Sequence, residues 1–475
     1  MNGGGDIALL IDFGSTYTKL RAVDLEAGAL VAAGQGPSTV ATDVTIGLEA
    51  ALADLDRHMG GLPDFRHRLA SSSAAGGLRM VTLGLVKELT AEAARWAALG
   101  AGARLVGSFS YRLTAGDAAA IVALAPDVLL LSGGTDGGNS EVILHNAALL
   151  AESPLACPVI AAGNRNAADD IRDMFAASGK RLVIAGNVMP AFQELDIEPA
   201  RAAIRQVFID RIVHAKGIDR AAAMFDMVLM PTPAAVLAGA KLLSEGTPDR
   251  PGLGPLVVID IGGATTDVHS IAAGEPAGEA VVQYGLPEPY EKRTVEGDLG
   301  MRYNARCIVE TAGRDRIAAA SGVSADAVED WLRRIEHDVE ILPDRAEDAA
   351  IDAAMARAAV RIAMRRHAGT VRIAHTAAGP VTVQEGKDLT AVAALVGTGG
   401  ALVHAAAPAG VLAAALADGS EKTSLRPMAP ARLVDEHYLL YAAGLLAEVA
   451  PVAAFALAMN GIRAAGGEDE RRGTG

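Results

Sequence analysis

The sequence predicts an α/β protein made of two related halves, with a parallel-sheet module inserted between them. Three observations lead there. An apolar strand that ends in aspartate and turns through glycine occurs at 7–13 and again at 256–261. Between the copies, apolar runs at 103–109, 128–131, 159–162 and 182–185 recur about every 25 residues, as a right-handed β-α-β crossover requires. At 475 residues the chain is about three times a typical domain length and needs more than one core.

The opening reads as strands at 7–13, 17–25 and 29–33, with Gly14 and Gly28 at the turns, followed by an amphipathic helix over 43–59. A second hairpin, 256–261 then 265–271, turns through Gly262-Gly263-Ala264 and repeats the first, which is the mark of duplication. Three runs of the middle segment end in Gly-containing loops: Ser132-Gly133-Gly134-Thr135-Asp136-Gly137-Gly138, Gly163-Asn164 and Gly186-Asn187. Ligands of open parallel sheets bind at that carboxyl edge. From 306 to 367 the pattern is helical, with one helix opening at an N-cap, Ser324, and another over 347–366. The apolar stretch 439–459 contains Glu448 and Pro451 and reads as a buried helix, not a membrane span. The expected domains are 1–79 with 226–250 as the first half, 80–225 as the insert, 251–465 as the second half with a helical insertion at about 306–370, and 466–475 as a disordered tail. No low-complexity linker separates them, so they are expected to interleave.

Composition narrows the function. Apolar residues make up 51% of the chain and charged residues 21%, as in a folded soluble protein. The net charge is −15, and no Lys/Arg cluster reverses it locally, which argues against nucleic acid. The two cysteines, Cys157 and Cys307, are too isolated for a disulfide framework, a zinc site or an iron–sulfur cluster. With no secretory signal at the N-terminus, a cytoplasmic protein is expected.

The chemistry lies in the hairpins. Ile11-Asp12-Phe13-Gly14-Ser15-Thr16-Tyr17-Thr18-Lys19 sets an acid at the end of a buried strand, then small and hydroxylic residues in a tight turn. Backbone N–H groups in such a turn can approach a phosphate while the carboxylate reaches the metal that neutralises it. Val258-Ile259-Asp260-Ile261-Gly262-Gly263-Ala264-Thr265-Thr266-Asp267 repeats the device, and Leu395-Val396-Gly397-Thr398-Gly399-Gly400 is an apolar run ending in glycines. Asp56-Arg57-His58-Met59-Gly60-Gly61 matches a cobalamin-ligating string, but it ends a helix, where Gly60 reads as a C-cap. Ser72 and Ser73 lie in no nucleophile elbow, and the ten histidines show no metal spacing.

In this order the segments resemble the two phosphate turns and the adenosine turn of the actin, sugar kinase and heat-shock chaperone ATPase superfamily. Pro231-Thr232-Pro233-Ala234-Ala235-Val236-Leu237-Ala238 and Tyr441-Ala442-Ala443-Gly444-Leu445 resemble its two connecting helices. Three further segments resemble the accessory component L of glutamate mutase, the MutL/GlmL family. They are Leu69-Ala70-Ser71-Ser72-Ser73-Ala74-Ala75-Gly76-Gly77-Leu78, the 132–138 loop, and Arg293-Thr294-Val295-Glu296-Gly297-Asp298-Leu299-Gly300-Met301-Arg302. The resemblance implies an actin-like (ribonuclease H-like) duplicated ATPase fold with an inserted Rossmann-like module. It also implies a chaperone-like ATPase serving an adenosylcobalamin-dependent mutase.

On that resemblance ATP and Mg2+ are the cofactors. Asp12 and Asp260 organise the metal, and Asp267 completes the catalytic set near the γ-phosphate. Gly14, Ser15, Thr16, Tyr17, Lys19, Gly262, Gly263 and Thr265 line the phosphates; Gly397, Gly399 and Gly400 admit the adenosine. Thr232 stands where chaperone ATPases carry a water-orienting Glu, so slow hydrolysis is expected. The expected partners are the mutase subunits, met through the insert with Thr135, Asp136 and Asn164 near the contact; a homodimer or a small-subunit complex is left open. The rival readings are a small-molecule kinase, an actin-like filament protein, and a dehydratase activator, against which the isolated cysteines argue.

Overall fold

A computed structural model describes residues 6–14, 17–39, 43–72, 78–213, 226–276, 281–377, 379–419 and 421–466. The chain forms two compact units. The first comprises Met1–Gly239, Gly285–Pro289 and Tyr441–Leu457; the second comprises Ala240–Tyr284, Tyr290–Leu440 and Ala458–Gly475. The expected tail, 466–475, lies outside the described residues apart from Gly466.

The first unit holds two five-stranded sheets. One contains β1 (Ile7–Phe13), β2 (Tyr17–Asp24), β3 (Ala29–Pro37) and β4 (His67–Ser72). The other is built from β5 (Arg79–Gly84), β6 (Arg104–Ser110), β7 (Val128–Leu131), β8 (Val159–Ala161) and β9 (Leu182–Ile184), after which β10 (Met227–Pro231) rejoins the first sheet. The first sheet runs β10-β4-β1-β2-β3, with β1 antiparallel to β2 and parallel to β4. The second is wholly parallel, ordered β6-β5-β7-β8-β9, the arrangement of a doubly wound nucleotide-type sheet. Its strand β5 is not among the expected apolar runs, and the expected domain boundary at 79/80 falls inside it.

The parallel sheet is apolar on both faces, as sheets flanked by helices are. Val81, Leu83, Leu129 and Leu131 pack with Ile143, Leu150 and Phe175 on one side. Met80, Val128 and Leu130 point the other way, into a core that also holds Leu9, Ile11 and Phe13 of β1 and Trp96. One of the module's two cores is thus shared with the first sheet. Helix Val44–Met59 packs against β3 so closely that a Cβ on Gly36 would stand 2.5 Å from the Gly47 carbonyl. The two segments that resemble connecting helices also meet backbone to backbone: a Cβ on Gly444 would lie 1.8 Å from the Ala235 carbonyl.

The second unit opens with a short hairpin, β11 (Gly246–Thr247) and β12 (Arg250–Pro251), then β13 (Leu256–Ile261), β14 (Thr266–Ile271), β15 (Val281–Tyr284) and β16 (Glu291–Glu296). After the helices come β17 (Thr370–Thr376), β18 (Gly379–Glu385), β19 (Ala394–Thr398), β20 (Ala431–Asp435) and β21 (Ile462–Ala464). Its main sheet runs β16-β14-β13-β19-β20-β21. Here β13 is antiparallel to β14 and parallel to β19, and β19 is parallel to β20. Strand for strand, β16-β14-β13-β19-β20 repeats β3-β2-β1-β4-β10 in order and direction. The duplication expected from the two hairpins is therefore present in whole sheets, in the actin-like arrangement. Helices Ala305–Ala312, Arg314–Ser321, Ala325–His337 and Ala346–His367 cover one face, and Ser324 caps its helix through Ala327 N. The single helix expected over 439–459 is instead two, Leu440–Leu446 and Pro451–Gly461. Pro451, lacking an N–H, starts the second because it cannot continue the first. Among the described residues no helix is long and apolar enough to cross a membrane.

Candidate functional site

Each unit carries half of the residues singled out in the sequence, and each half is described on its own. In the first, the register sets Asp12 beside Ser71 of β4 and across from Lys19 of β2. Asp12 is buried, and its Oδ1 accepts from Thr232 Oγ1 at 2.6 Å and from Ser71 Oγ at 3.3 Å. Burial raises its pKa above the usual carboxylate value, opposed by the Lys19 charge and then by the two hydroxyl hydrogen bonds. Gly14 N donates to the Tyr17 carbonyl at 3.0 Å, closing a turn that a Cβ on Gly14 would obstruct at 2.5 Å. Tyr17 is exposed, Lys19 half-buried, and Ser15 and Thr16 lie outside the described residues. Ser71 and Thr232 are the partners that the sequence did not assign to Asp12. Ser71 lies in the 69–78 segment and Thr232 in the 231–238 segment, but their meeting is tertiary.

The second unit repeats the hairpin. Asp260 pairs across β13–β14 with Asp267, as Asp12 does with Lys19, and across β13–β19 with Thr398. Gly262 N donates to the Thr265 carbonyl at 2.9 Å, the counterpart of the Gly14–Tyr17 bond. The segment 300–304 then takes the turn's carbonyls in succession. Met301 N donates to Gly262 O (3.1 Å), Arg302 N and Tyr303 N both donate to Gly263 O (2.9 Å), and Asn304 Nδ2 donates to Ala264 O (2.9 Å). In a trans peptide the N–H points opposite to the carbonyl of the same plane. The amides of Gly263, Ala264 and Thr265 are therefore all directed away from 300–304, on the side where Gly263 and Ala264 are exposed. Successive amides turned one way form an anion-binding concavity. Gly300 makes the fit possible, since a Cβ there would stand 2.3 Å from the Ala264 carbonyl carbon.

Behind the turn, Asp267 is buried against Arg293, with Oδ2 3.2 Å from Nη2, and its Oδ1 has no hydrogen-bond partner among the described residues. His269, two residues on and across from Arg293, is fully buried, and neither ring nitrogen has a hydrogen-bond partner among the described residues. Burial, then the Arg293 charge, hold its pKa well below the ordinary histidine value.

The glycine turn after β19 closes on Asp260. Gly399 has φ +87°, and a Cβ there would come within 2.4 Å of Ile261 O and 2.6 Å of Asp260 Oδ1. Gly400 is exposed beside it. Gly397 differs: it is buried, and a Cβ there would meet Leu402 and Leu412 at 3.0 and 3.1 Å. Its small size serves packing, not access. The second unit thus joins Asp260, Asp267, Gly262, Gly263, Thr265, Gly399 and Gly400 around one turn.

Magnesium fits this donor set. Hard carboxylate oxygens suit it, and it keeps several waters, so one or two acids suffice when phosphates supply the rest. Among the described residues no cluster of three His, Cys, Asp or Glu stands ready to hold a metal alone.

At the module's carboxyl edge the loops satisfy one another. Asn187 Nδ2 and Arg165 N donate to Asp136 Oδ1 at 2.9 and 3.0 Å, and Gly137 N donates to Asn164 Oδ1 at 3.2 Å. Asn164 Nδ2 donates to the Gly138 and Asn139 carbonyls. Asn164 is buried and holds loops together, whereas Asp136 keeps partial exposure. Beside exposed polar residues such as Arg165 and Asn166, this edge presents two aromatic rings: Tyr111, just after β6, is 54% exposed, and Phe192, in the loop after β9, is 69% exposed.

A family model described as MutL protein matches residues 8–462. Protein MutL of Clostridium tetanomorphum is 45% identical over 448 residues, covering 94% of this chain and 97% of its own length. Solved structures similar to this chain include the xylulose kinase of Bifidobacterium adolescentis, with 13% identity, 94% and 93% of the two chains covered and a TM-score of 0.33. The ROK hexokinase of Thermus thermophilus shows 11% identity, 96% and 98% coverage and a TM-score of 0.28. Scores that low carry no argument about this chain. The sequence match spans both units and the module between the duplicated strands, and on it the chain belongs to the MutL family.

Proposed function

We propose that this protein is an ATP-binding accessory factor for an adenosylcobalamin-dependent mutase of the glutamate mutase type, acting as a slow nucleotide switch. The observation that carries the nucleotide part is the set of three amides, Gly263, Ala264 and Thr265, turned one way at the end of the strand bearing Asp260. The mutase part rests on the resemblance to the accessory component L of glutamate mutase.

Bound magnesium would neutralise the triphosphate charge. Asp12 and Asp260 would hold it, largely through its waters. The amides of 263–265, with Gly14, Ser15, Thr16, Tyr17 and Lys19 of the first hairpin, would hold the phosphates, and Gly399 with Gly400 would leave room for the nucleoside. Asp267 would use its unpartnered Oδ1 toward the γ-phosphate side while Arg293 fixes Oδ2. Thr232 offers a neutral hydroxyl, engaged with Asp12, where a carboxylate would accept more strongly from an attacking water. Hydrolysis is then slow, which suits a switch. The inserted module would meet the mutase through its carboxyl edge, while nucleotide state alters the relation of the halves.

Calorimetry with magnesium-ATP, on the wild type and on Asp12→Ala and Asp260→Ala, tests the first part. Unchanged affinity in both variants would sink it. Co-purification with a cobalamin enzyme from the source cell tests the second.

A further inference from the structure

Strand β20 ends at Asp435, a buried carboxylate that holds two loops at once. Its Oδ2 accepts from Thr398 Oγ1 at 3.2 Å, just before the Gly399–Gly400 turn, and from Leu440 N at 3.1 Å; its Oδ1 accepts from Leu439 N at 2.7 Å. These bonds fix the corner 436–439 beside the glycine turn. On that corner Tyr438 has φ +55°, a left-handed conformation that strains a bulky side chain and that glycine adopts freely. Strain of this kind persists where the surroundings impose it, often at ligand sites. The Tyr438 hydroxyl lies 3.5 Å from Nε2 of the exposed His404, with ring centroids 6.4 Å apart and planes tilted by 50°. A Cβ built on Gly400 would find the Tyr438 hydroxyl 3.6 Å away, so the ring stands over the open side of the turn.

We infer that Tyr438 and His404 are the two walls of a clamp for the nucleoside base, and that the strained backbone at 438 is held so that the ring can stand there. The inference rests on the nucleotide reading above. A flat base between two rings needs two contacts of about 3.5 Å, slightly more than the present centroid separation, and an exposed imidazole turns on the timescale of side-chain motion. The larger ring system of a purine gains most from two walls.

The test is equilibrium binding of magnesium-ATP and of magnesium-tripolyphosphate, which has no base, to the full chain and three variants, with thermal melting alongside. Tyr438→Gly removes the ring and the backbone strain together. It is expected to raise the melting temperature while weakening ATP binding about ten-fold, with tripolyphosphate affinity unchanged. Tyr438→Phe keeps the stack and is expected to bind ATP close to the wild type. His404→Ala, at an exposed position that folding tolerates, is expected to weaken ATP binding and leave tripolyphosphate alone. Wild-type ATP affinity in both Tyr438→Gly and His404→Ala would overturn the clamp, as would a wild type that binds tripolyphosphate as tightly as ATP; the phosphate site stands in either case. A wild type that binds neither ligand overturns the nucleotide reading and the clamp with it.

Discussion

Thr232 donates its hydroxyl proton to Asp12 Oδ1 at 2.6 Å, joining residues 220 positions apart in the chain. Because burial raises the Asp12 pKa and this bond opposes the rise, Thr232→Val should raise it further. Magnesium needs the carboxylate, so magnesium-ATP affinity falls as pH drops through that raised pKa, and in Thr232→Val the fall should begin at higher pH. Calorimetry at several pH values between 5 and 8 checks this; superimposable profiles would refute it.

Asp12→Asn separates stability from binding. A carboxyl whose folded pKa lies above its unfolded value favours the folded state at low pH, and that contribution is lost as pH rises through the folded pKa. Above that folded pKa the wild type carries a buried charge that the amide does not, so there Asp12→Asn should melt at an equal or higher temperature. It should still lose magnesium-ATP affinity by about ten-fold or more, or about 1.4 kcal/mol.

Gly300→Ala should disturb the anion-binding turn without touching a ligand. Gly300 is not among the glycines of positive φ, so the cost is steric, from a Cβ set 2.3 Å from the Ala264 carbonyl carbon. A loss of about 1–3 kcal/mol in stability is expected, with weaker ATP binding as the three amides lose their common direction. Denaturant unfolding and calorimetry read the two effects separately.

Arg293→Met leaves the buried Asp267 carboxylate unpaired and should cost about 3–5 kcal/mol. His269 gives a milder, pH-dependent signature. Its folded pKa lies well below the ordinary value of 6.5, so the unfolded state takes up a proton first. Stability is full above about pH 6.5 and is lost as pH falls below it. His269→Phe should flatten that decline between pH 7 and 5 in melting experiments; an unaltered slope would count against the assignment.

The exposed aromatics at the module's edge test partner recognition more cleanly than removing the module. Because Met80, Val128 and Leu130 share a core with β1, excising 80–225 would strip the first sheet. Tyr111→Ser with Phe192→Ser should instead weaken capture of the mutase and leave magnesium-ATP affinity unchanged.

Much of this was legible in the sequence because it is local. The bounds of β1 and β13 were read directly from apolar runs ending at aspartate, and Ser324 announced its helix by capping chemistry. What escaped is tertiary or weakly patterned. The three-stranded sheet β15-β18-β17 exposes polar residues on both sides and gives no clean alternation. Strand β5 lay at the seam between a motif and the insert. Neither Thr232 meeting Asp12 nor 300–304 taking the turn's carbonyls has a signature in spacing, because both depend on segments brought together by the completed fold.

The placement of β10 bears on the order of synthesis. It lies beside β4 with Met227 paired to Leu69, and Asp226 accepts from Arg68 N across a gap of 158 residues. A nascent chain therefore leaves the ribosome with β4 as a bare sheet edge until the whole module has followed. Closing so long a loop is slow, and an unpaired strand invites wrong neighbours. The parallel sheet, which shares a core with β1 in the finished fold, would shield apolar surface during that wait if it forms first, so lesions in the module should show first as poor yield of soluble protein during expression, before any defect in the finished molecule.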